Sequence, residues 1–259
     1  MEFIYLLVAL FSTTIGALSG LGGGVIIKPV LDSLGQYDVA TIGLLSSFTV
    51  LSMAVVSTIK QYHSGMRFEG KTTIILSSGS ITGGILGTVL FSYIRIHIEE
   101  PRLITAVQSV ILALLLILVL IYLLKKNIHS FHMTNVILIF IVGLLLGLIA
   151  SFLGVGGGPF NVVLLALLFS MDSKSAAVHS VLIILFSQSS KLLSVLISTG
   201  FSGFDLSMLF FMIPGGIIGG LSGSFLNRKL KSETIQILFR VVIVLIILLN
   251  LVNLYKSLI

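Results

Sequence analysis

Long stretches of apolar residues, separated by brief polar intervals, recur from one end of the chain to the other. They fall at about 3–20, 25–34, 39–59, 72–94, 103–124, 134–153, 159–170, 175–199, 205–226 and 235–255. Inside each run the apolar positions are continuous rather than alternating, which predicts helices and excludes an outer-membrane β-barrel. Most runs approach the roughly 20 residues that a helix needs to cross about 30 Å of hydrocarbon. No gap is long enough to hold a soluble domain. The expected fold class is therefore an all-α polytopic membrane protein, with eight hydrophobic segments by simple count.

Composition agrees with that pattern. Of 259 residues, 56% are hydrophobic and only 9% are charged, against roughly a quarter charged in a soluble domain. Soluble enzymes and nucleic-acid binders are excluded on that ground. The net charge of +6 reports which loops stay in the cytoplasm rather than a nucleic-acid partner. Cysteine is absent, which removes disulfides and thiolate metal sites together. The first run follows only Met1 and Glu2. It lacks the basic start of a signal peptide, so it reads as a retained membrane segment.

The chain is internally duplicated. Ser19-Gly20-Leu21-Gly22-Gly23-Gly24 is matched by Leu153-Gly154-Val155-Gly156-Gly157-Gly158, 134 positions later (Gly20 to Gly154). Asp38 and Asp172 keep the same offset, and Gly79, Gly83 and Gly87 correspond to Gly215, Gly219 and Gly223. Features that recur in the same order mark two repeats. The expected division is residues 1–127 and 128–259 within one integral membrane domain.

Connectivity follows from length and charge. One helix from Phe3 to Leu34 would be about 48 Å long, too much for the bilayer core, so it breaks at the glycines. If the two pieces form a hairpin that enters and leaves on one side, three full crossings remain per half. Lys60, Arg67, Lys71, Lys125, Lys126, Lys174, Arg228, Lys229 and Lys231 then gather on one side, leaving Lys28, Arg95, Arg102 and Lys256 on the other. Eight simple crossings would divide the basic residues almost evenly. The hairpin reading restores the positive-inside bias, makes the repeats inverted and puts both termini outside the cytoplasm. Arg240 then lies within snorkelling reach of the cytoplasmic end of the last helix.

Glycines clustered this densely break a helix, at about 1 kcal/mol each relative to alanine. Pro159, directly after Gly158, suits the first turn of a new helix. Free amides at such a start are costly in lipid, and an anion would satisfy them while meeting the positive end of the helix dipole. Gly22, Gly23, Gly24, Gly156, Gly157 and Gly158 are therefore candidate substrate-binding residues. The glycines spaced by four read instead as helix-packing surfaces.

At these motifs the chain resembles the TauE/SafE family of sulfite and organosulfonate exporters, also called the 4-toluene sulfonate uptake permease family. The resemblance spans essentially the whole chain. It rests on Gly20–Gly24 with Pro29, on Gly154–Gly158 with Pro159, on Ala40–Ser47 and on the polar loop Tyr62–Glu69. His179, within Ala177–Ser180, departs from the family's usual small residue or threonine. The resemblance implies secondary transport of small sulfur-containing or carboxylate anions across a bacterial inner membrane.

Polar residues inside spans are functional candidates by default. Lys191 is expected to line the path or to stretch to the interface. Lys28 offers a second positive charge, with a surface position at a helix end as the alternative. Asn161, Ser47, Ser180 and Gln188 are candidate pathway ligands, and His179 a candidate proton carrier. His63, His97, His129 and His132 are not spaced as a metal site. No Asp or Glu falls mid-span, so an intramembrane enzyme lacks its constellation. The expected function is a secondary transporter of a small anion, such as sulfite or a sulfoacetate-like sulfonate, working by alternating access and open to proton coupling. A passive anion channel is the alternative. The chain is expected to be no enzyme and to need no cofactor or metal. Its partners are a small anion and the lipid bilayer, with a homodimer as one assembly open to it.

Overall fold

The computed structural model describes residues 2–64, 70–98, 100–125 and 130–258. Arg67, Glu69, Glu99, Lys126 and His129 lie outside the described residues. Each apolar run becomes one helix: α1 (Glu2–Ser19), α2 (Gly24–Leu34), α3 (Val39–His63), α4 (Gly70–His97), α5 (Pro101–Leu124), α6 (Val136–Leu153), α7 (Pro159–Phe169), α8 (Ser173–Ser198), α9 (Leu209–Lys229) and α10 (Ser232–Leu258). Eight of the ten are long and apolar enough to cross a membrane. The exceptions, α2 and α7, have 11 residues each, about 16 Å, half the hydrocarbon thickness.

Local chemistry sets the boundaries. Asp38 caps α3 by accepting from the amides of Ala40 and Thr41 at 2.9 and 3.2 Å. Asp172 caps α8 in the same way, from Lys174 and Ser175. These are the repeat-related aspartates, and each satisfies two of the four donors a helix start leaves open. α6 stops in a Schellman turn: Gly154, left-handed at φ +68°, directs its amide to Ser151 while Val155 reaches Ala150.

The two short helices return to the level at which the preceding long helix began. The Tyr5 hydroxyl on α1 donates to Gln36 Oε1 at 2.8 Å, just past the end of α2. The rings of Tyr5 and Tyr37 meet edge-on at 6.1 Å. In the second half, the amides of Phe131 and Met133, ahead of α6, donate to the carbonyls of Leu167 and Leu168 at the end of α7.

The halves do not pack as separate bodies. α4 lies against both α6 and α8, α1 against α9, α3 against both α8 and α9, and α5 against α10. Exchanging the halves maps this set of pairs onto itself. The glycine stripes make the closest pairs possible. A Cβ on Gly79, Gly83 or Gly87 would run into the α6 backbone at Phe140, Leu144 or Leu148, and Gly143 and Gly147 face Leu76 and Ser80 in return. Gly215, Gly219 and Gly223 sit on successive turns of α1 from Leu6 to Leu18. Adjacent glycines serve a second face: Gly84 meets Ser187 and Ser190 on α8, while Gly216 and Gly220 meet Thr49 and Met53 on α3. Without a hydrophobic drive between helices in lipid, such backbone proximity is the main source of association.

Replacing Gly83 or Gly219 with leucine is expected to cost at least about 3 kcal/mol, because the new side chain meets backbone that cannot move aside. Gly203→Ala, at a site with open space around it, is the control. Thermal midpoints of the purified variants in detergent check the difference; a midpoint for Gly83→Leu equal to that of the control would refute this packing role.

Candidate functional site

The two glycine segments meet each other at the centre of the helix bundle. Residues 16–25 and 153–163 are buried throughout. Gly22 and Gly157 hold φ values of +83° and +103°, conformations that an L side chain adopts only at a cost of about 1 kcal/mol or more. A Cβ on Gly22 would come 3.2 Å from the Gly156 carbonyl oxygen, and one on Gly24 would overlap the Val155 carbonyl. The segments touch across this crossing, with α3 on one side and α8 on the other.

The crossing contains polar groups that the protein itself does not satisfy. Gln188 is fully buried, and both its amide atoms lack a partner. Asn161 Oδ1 and Ser46 Oγ, equally buried, also have none. All three face the glycines: a Cβ on Gly156 would sit 3.3 Å from Gln188 Cδ, one on Gly157 3.1 Å from Asn161 Nδ2, and one on Gly24 2.9 Å from Ser46 Oγ. The amides of Gly156, Gly157 and Gly158, leading into α7, meet no acceptor among the described residues. Buried groups of this kind are nearly always paired in folded proteins, with ordered water where protein offers no partner.

Next to the crossing lies a cavity of about 210 Å³ between the start of α3 and the ends of α4 and α8. Its ionisable lining consists of Lys28, Arg95 and Lys191, all basic side chains. Lys191, only 6% exposed, reaches from α8 to α3, donating to Ser47 Oγ at 2.7 Å and to the Gly43 carbonyl at 3.1 Å. The Ser47 hydroxyl donates in turn to the same carbonyl at 2.6 Å. Lys28 is buried at 3% exposure, not a surface residue, and pairs with Asp32 at 2.8 Å. Arg95 lies over the Phe204 ring, 5.5 Å from its centre. Near Arg95, Asp38 is subject to opposing effects. Burial raises its pKa, but the Thr41 hydroxyl, the two capping amides and the Arg95 charge outweigh it and hold the carboxyl below its ordinary value. The remaining wall is apolar, with Phe91 and Phe152 edge-on at 6.5 Å.

The residues singled out from the sequence thus divide. Lys191 lines the cavity, and Ser47 is its hydrogen-bond partner. Gly22, Gly23, Gly24, Gly156, Gly157, Gly158, Asn161 and Gln188 form the sealed crossing beside it. Ser180 donates to the Gly20 carbonyl at 2.6 Å on the far side. His179 is buried on the first half of α8, its Nδ1 2.8 Å from the Ser175 carbonyl, and does not line the cavity. Sequence reasoning missed Gln108, Ser151 and the inward placing of Arg95. Gln108 holds the Phe152 carbonyl at 2.6 Å, while Gln108 Oε1 and Ser151 Oγ are unpartnered. A lone glutamine in the leucine-rich α5 was the available signal.

Comparison with known proteins matches this architecture. A "Probable membrane transporter protein YunE" of Bacillus subtilis (strain 168) is 27% identical over 278 residues, covering 95% of this chain and 96% of that protein. No solved structure matches. The sulfite exporter TauE/SafE family model matches residues 5–250. The chain belongs to the TauE/SafE sulfite exporter family, a family of multi-pass membrane transporters and not of enzymes.

Proposed function

We propose that this protein is a secondary carrier of a small anion, a sulfur-containing oxyanion or organosulfonate, working by alternating access around the two glycine breaks. The observation that carries this reading is a cavity whose ionisable lining is exclusively basic, set against a buried crossing with unpartnered donors in the Gly156–Gly158 amides and Gln188 Nε2. Lys191 and Lys28 attract the anion. The amides of Gly156–Gly158 at the start of α7, with Gln188 and Asn161, receive it at the next station. The aromatic wall of Phe91, Phe152 and Phe204 leaves room for an organic body behind a sulfonate head.

Closure on one side favours a carrier over a channel. Beyond the crossing, Ser180 on the Gly20 carbonyl, Asn227 on the Leu18 carbonyl and Lys60 on the Leu221 carbonyl tie the helices to one another, which supports a closed state on that side. The contacts also support inverted repeats, each a hairpin plus three crossings. Tyr5 with Gln36, and Phe131 with Leu167, bring each hairpin back to its own side. Lys191, late in α8, meets Gly43, early in α3, so these equivalent helices run antiparallel. Lys256 at the end of α10 reaches the Ser33 carbonyl, which supports both termini lying at the level where the cavity opens. Lys60, Lys125, Lys174, Arg228 and Lys229 end at the opposite level, so the cavity faces away from the cytoplasm of a bacterial inner membrane.

Counterflow in proteoliposomes tests the function: labelled sulfite or sulfoacetate uptake is expected to saturate and to accelerate when the same anion is preloaded. Flux without acceleration identifies a channel, and no flux with any sulfonate or sulfite refutes the substrate class. Lys191→Met is expected to weaken binding by at least about tenfold, the worth of one charged hydrogen bond, measured by calorimetry. Gln188→Leu is expected to lower transport more than it lowers thermal stability. A C-terminal reporter active only in the cytoplasm should stay silent; a signal from it would overturn the orientation.

A further inference from the structure

Lys28 and Asp32 form the one ion pair among the described residues with both side chains buried, 3% and 5% exposed. The two partners face different spaces. Lys28 lines the cationic cavity, and its stem packs on the second glycine segment, 3.5 Å from where a Gly154 Cβ would lie. Asp32 lines a separate crevice of about 370 Å³ at the end of α2, shared with Tyr37, Asp38, Arg102, Asn253 and Lys256. Both spaces include Val39 at the start of α3, so both lie at the same level of the molecule.

We infer that Asp32 is the proton-coupling residue of the carrier, exchanging Lys28 for a proton when an anion arrives. This rests on the anion-carrier reading of the cavity. Lys28 stands between two candidate counter-ions, the Asp32 carboxylate and an anion in the cavity. A buried cation keeps a counter-ion, and a buried carboxylate without one is costly. When the anion takes over Lys28, the carboxylate loses its partner and binds a proton from the crevice. The balance closes: the Lys28–Asp32 pair plus one anionic charge and one proton gives the Lys28–anion pair plus a neutral carboxylic acid. Anion and proton then promote each other's binding by the same factor, as linkage requires.

The charges around Asp32 fit this role. Beyond Lys28 on its own helix, α5 contributes Arg102 and α10 contributes Lys256, whose ammonium is held 3.2 Å from the Ser33 carbonyl. The α2–α3 turn contributes Tyr37 and Asp38, the latter already held anionic by its caps. From α1, Tyr5 is engaged by Gln36. Neither Arg102 nor Lys256 makes a hydrogen bond or ion pair to Asp32 among the described residues, so Lys28 is its direct partner. His179 lines neither space.

The test is binding of benzenesulfonate to the purified full chain in nanodiscs, since this anion keeps one charge between about pH 5.5 and about pH 8, where carboxyl and imidazole groups respond. Wild-type affinity is expected to rise at least about tenfold from the higher pH to the lower, with up to about one proton taken up per anion, read by an indicator dye. Asp32→Asn should bind tightly at both pH values with no proton uptake. Asp32→Glu should restore the slope, and His179→Gln should leave it unchanged. A pH-independent wild type, a wild-type slope in Asp32→Asn, or a slope lost in His179→Gln overturns the assignment. Should Asp32→Asn fail to fold, the wild-type proton count and the Asp32→Glu profile decide. Absence of binding at every pH, for sulfite as well as benzenesulfonate, refutes the carrier reading itself, and with it this inference.

Discussion

A backbone amide inside a bilayer has no water to turn to, and this fact governs the whole molecule. Eight long helices meet the demand within themselves. The two glycine segments do not, because they leave helical geometry near the middle of the bundle. They persist there because each is wrapped by protein: by the other segment, by α3 and by α8. The long helices thus act as a scaffold that hides broken backbone from lipid while leaving its donors usable. The glycine stripes on α4 and α9 serve the same end, since close packing against α6 and α1 keeps lipid away from the crossing.

Charge is handled with similar economy. In a chain with so few ionisable residues, three basic side chains converge on one cavity, and no carboxylate shares its lining. Two of them are restrained by neighbours, Lys28 by Asp32 and Lys191 by Ser47 and Gly43. Neutralisation of one and solvation of the other by hydroxyl and carbonyl lower the cost of holding them in a low-dielectric interior. They also leave both side chains available to a stronger counter-ion.

Much of this architecture could be read in the sequence, for identifiable reasons. Continuous apolar runs are unambiguous in lipid, and nearly every run became a helix with its ends within a few residues. The exception at the start of α9 has a cause: Asp205 accepts from the Ser207 amide at 3.0 Å, so the chain turns there and the helix begins only at Leu209. Breaks at Gly20–Gly24 and Gly154–Gly158 were evident because four glycines within five residues cannot sustain a helix. The cavity was harder to foresee. Arg95, Gln108, Ser151 and Lys191 come from four helices, and no spacing in the chain announces that they converge. Lys28 and Asp32, four residues apart on one face, carried a visible signal, but the shortness of α2 suggested an exposed end. Burial by the surrounding helices decided otherwise.

The repeats are alike in backbone and unlike in charge. Counting by the duplication offset, Lys28 corresponds to Val162 and Lys191 to Ser57, and Ser57 is spent on the Gly220 carbonyl at 3.1 Å. In a rocking motion that exchanged the halves, the positions facing the crossing from the second side would therefore carry Val162 and Ser57 in place of the two buried lysines. A carrier built so would behave as a rectifier at low solute, capturing more readily from the face with the lysines and releasing more readily at the other. The final concentration ratio is still set by the driving gradients, but the speed of approach depends on direction.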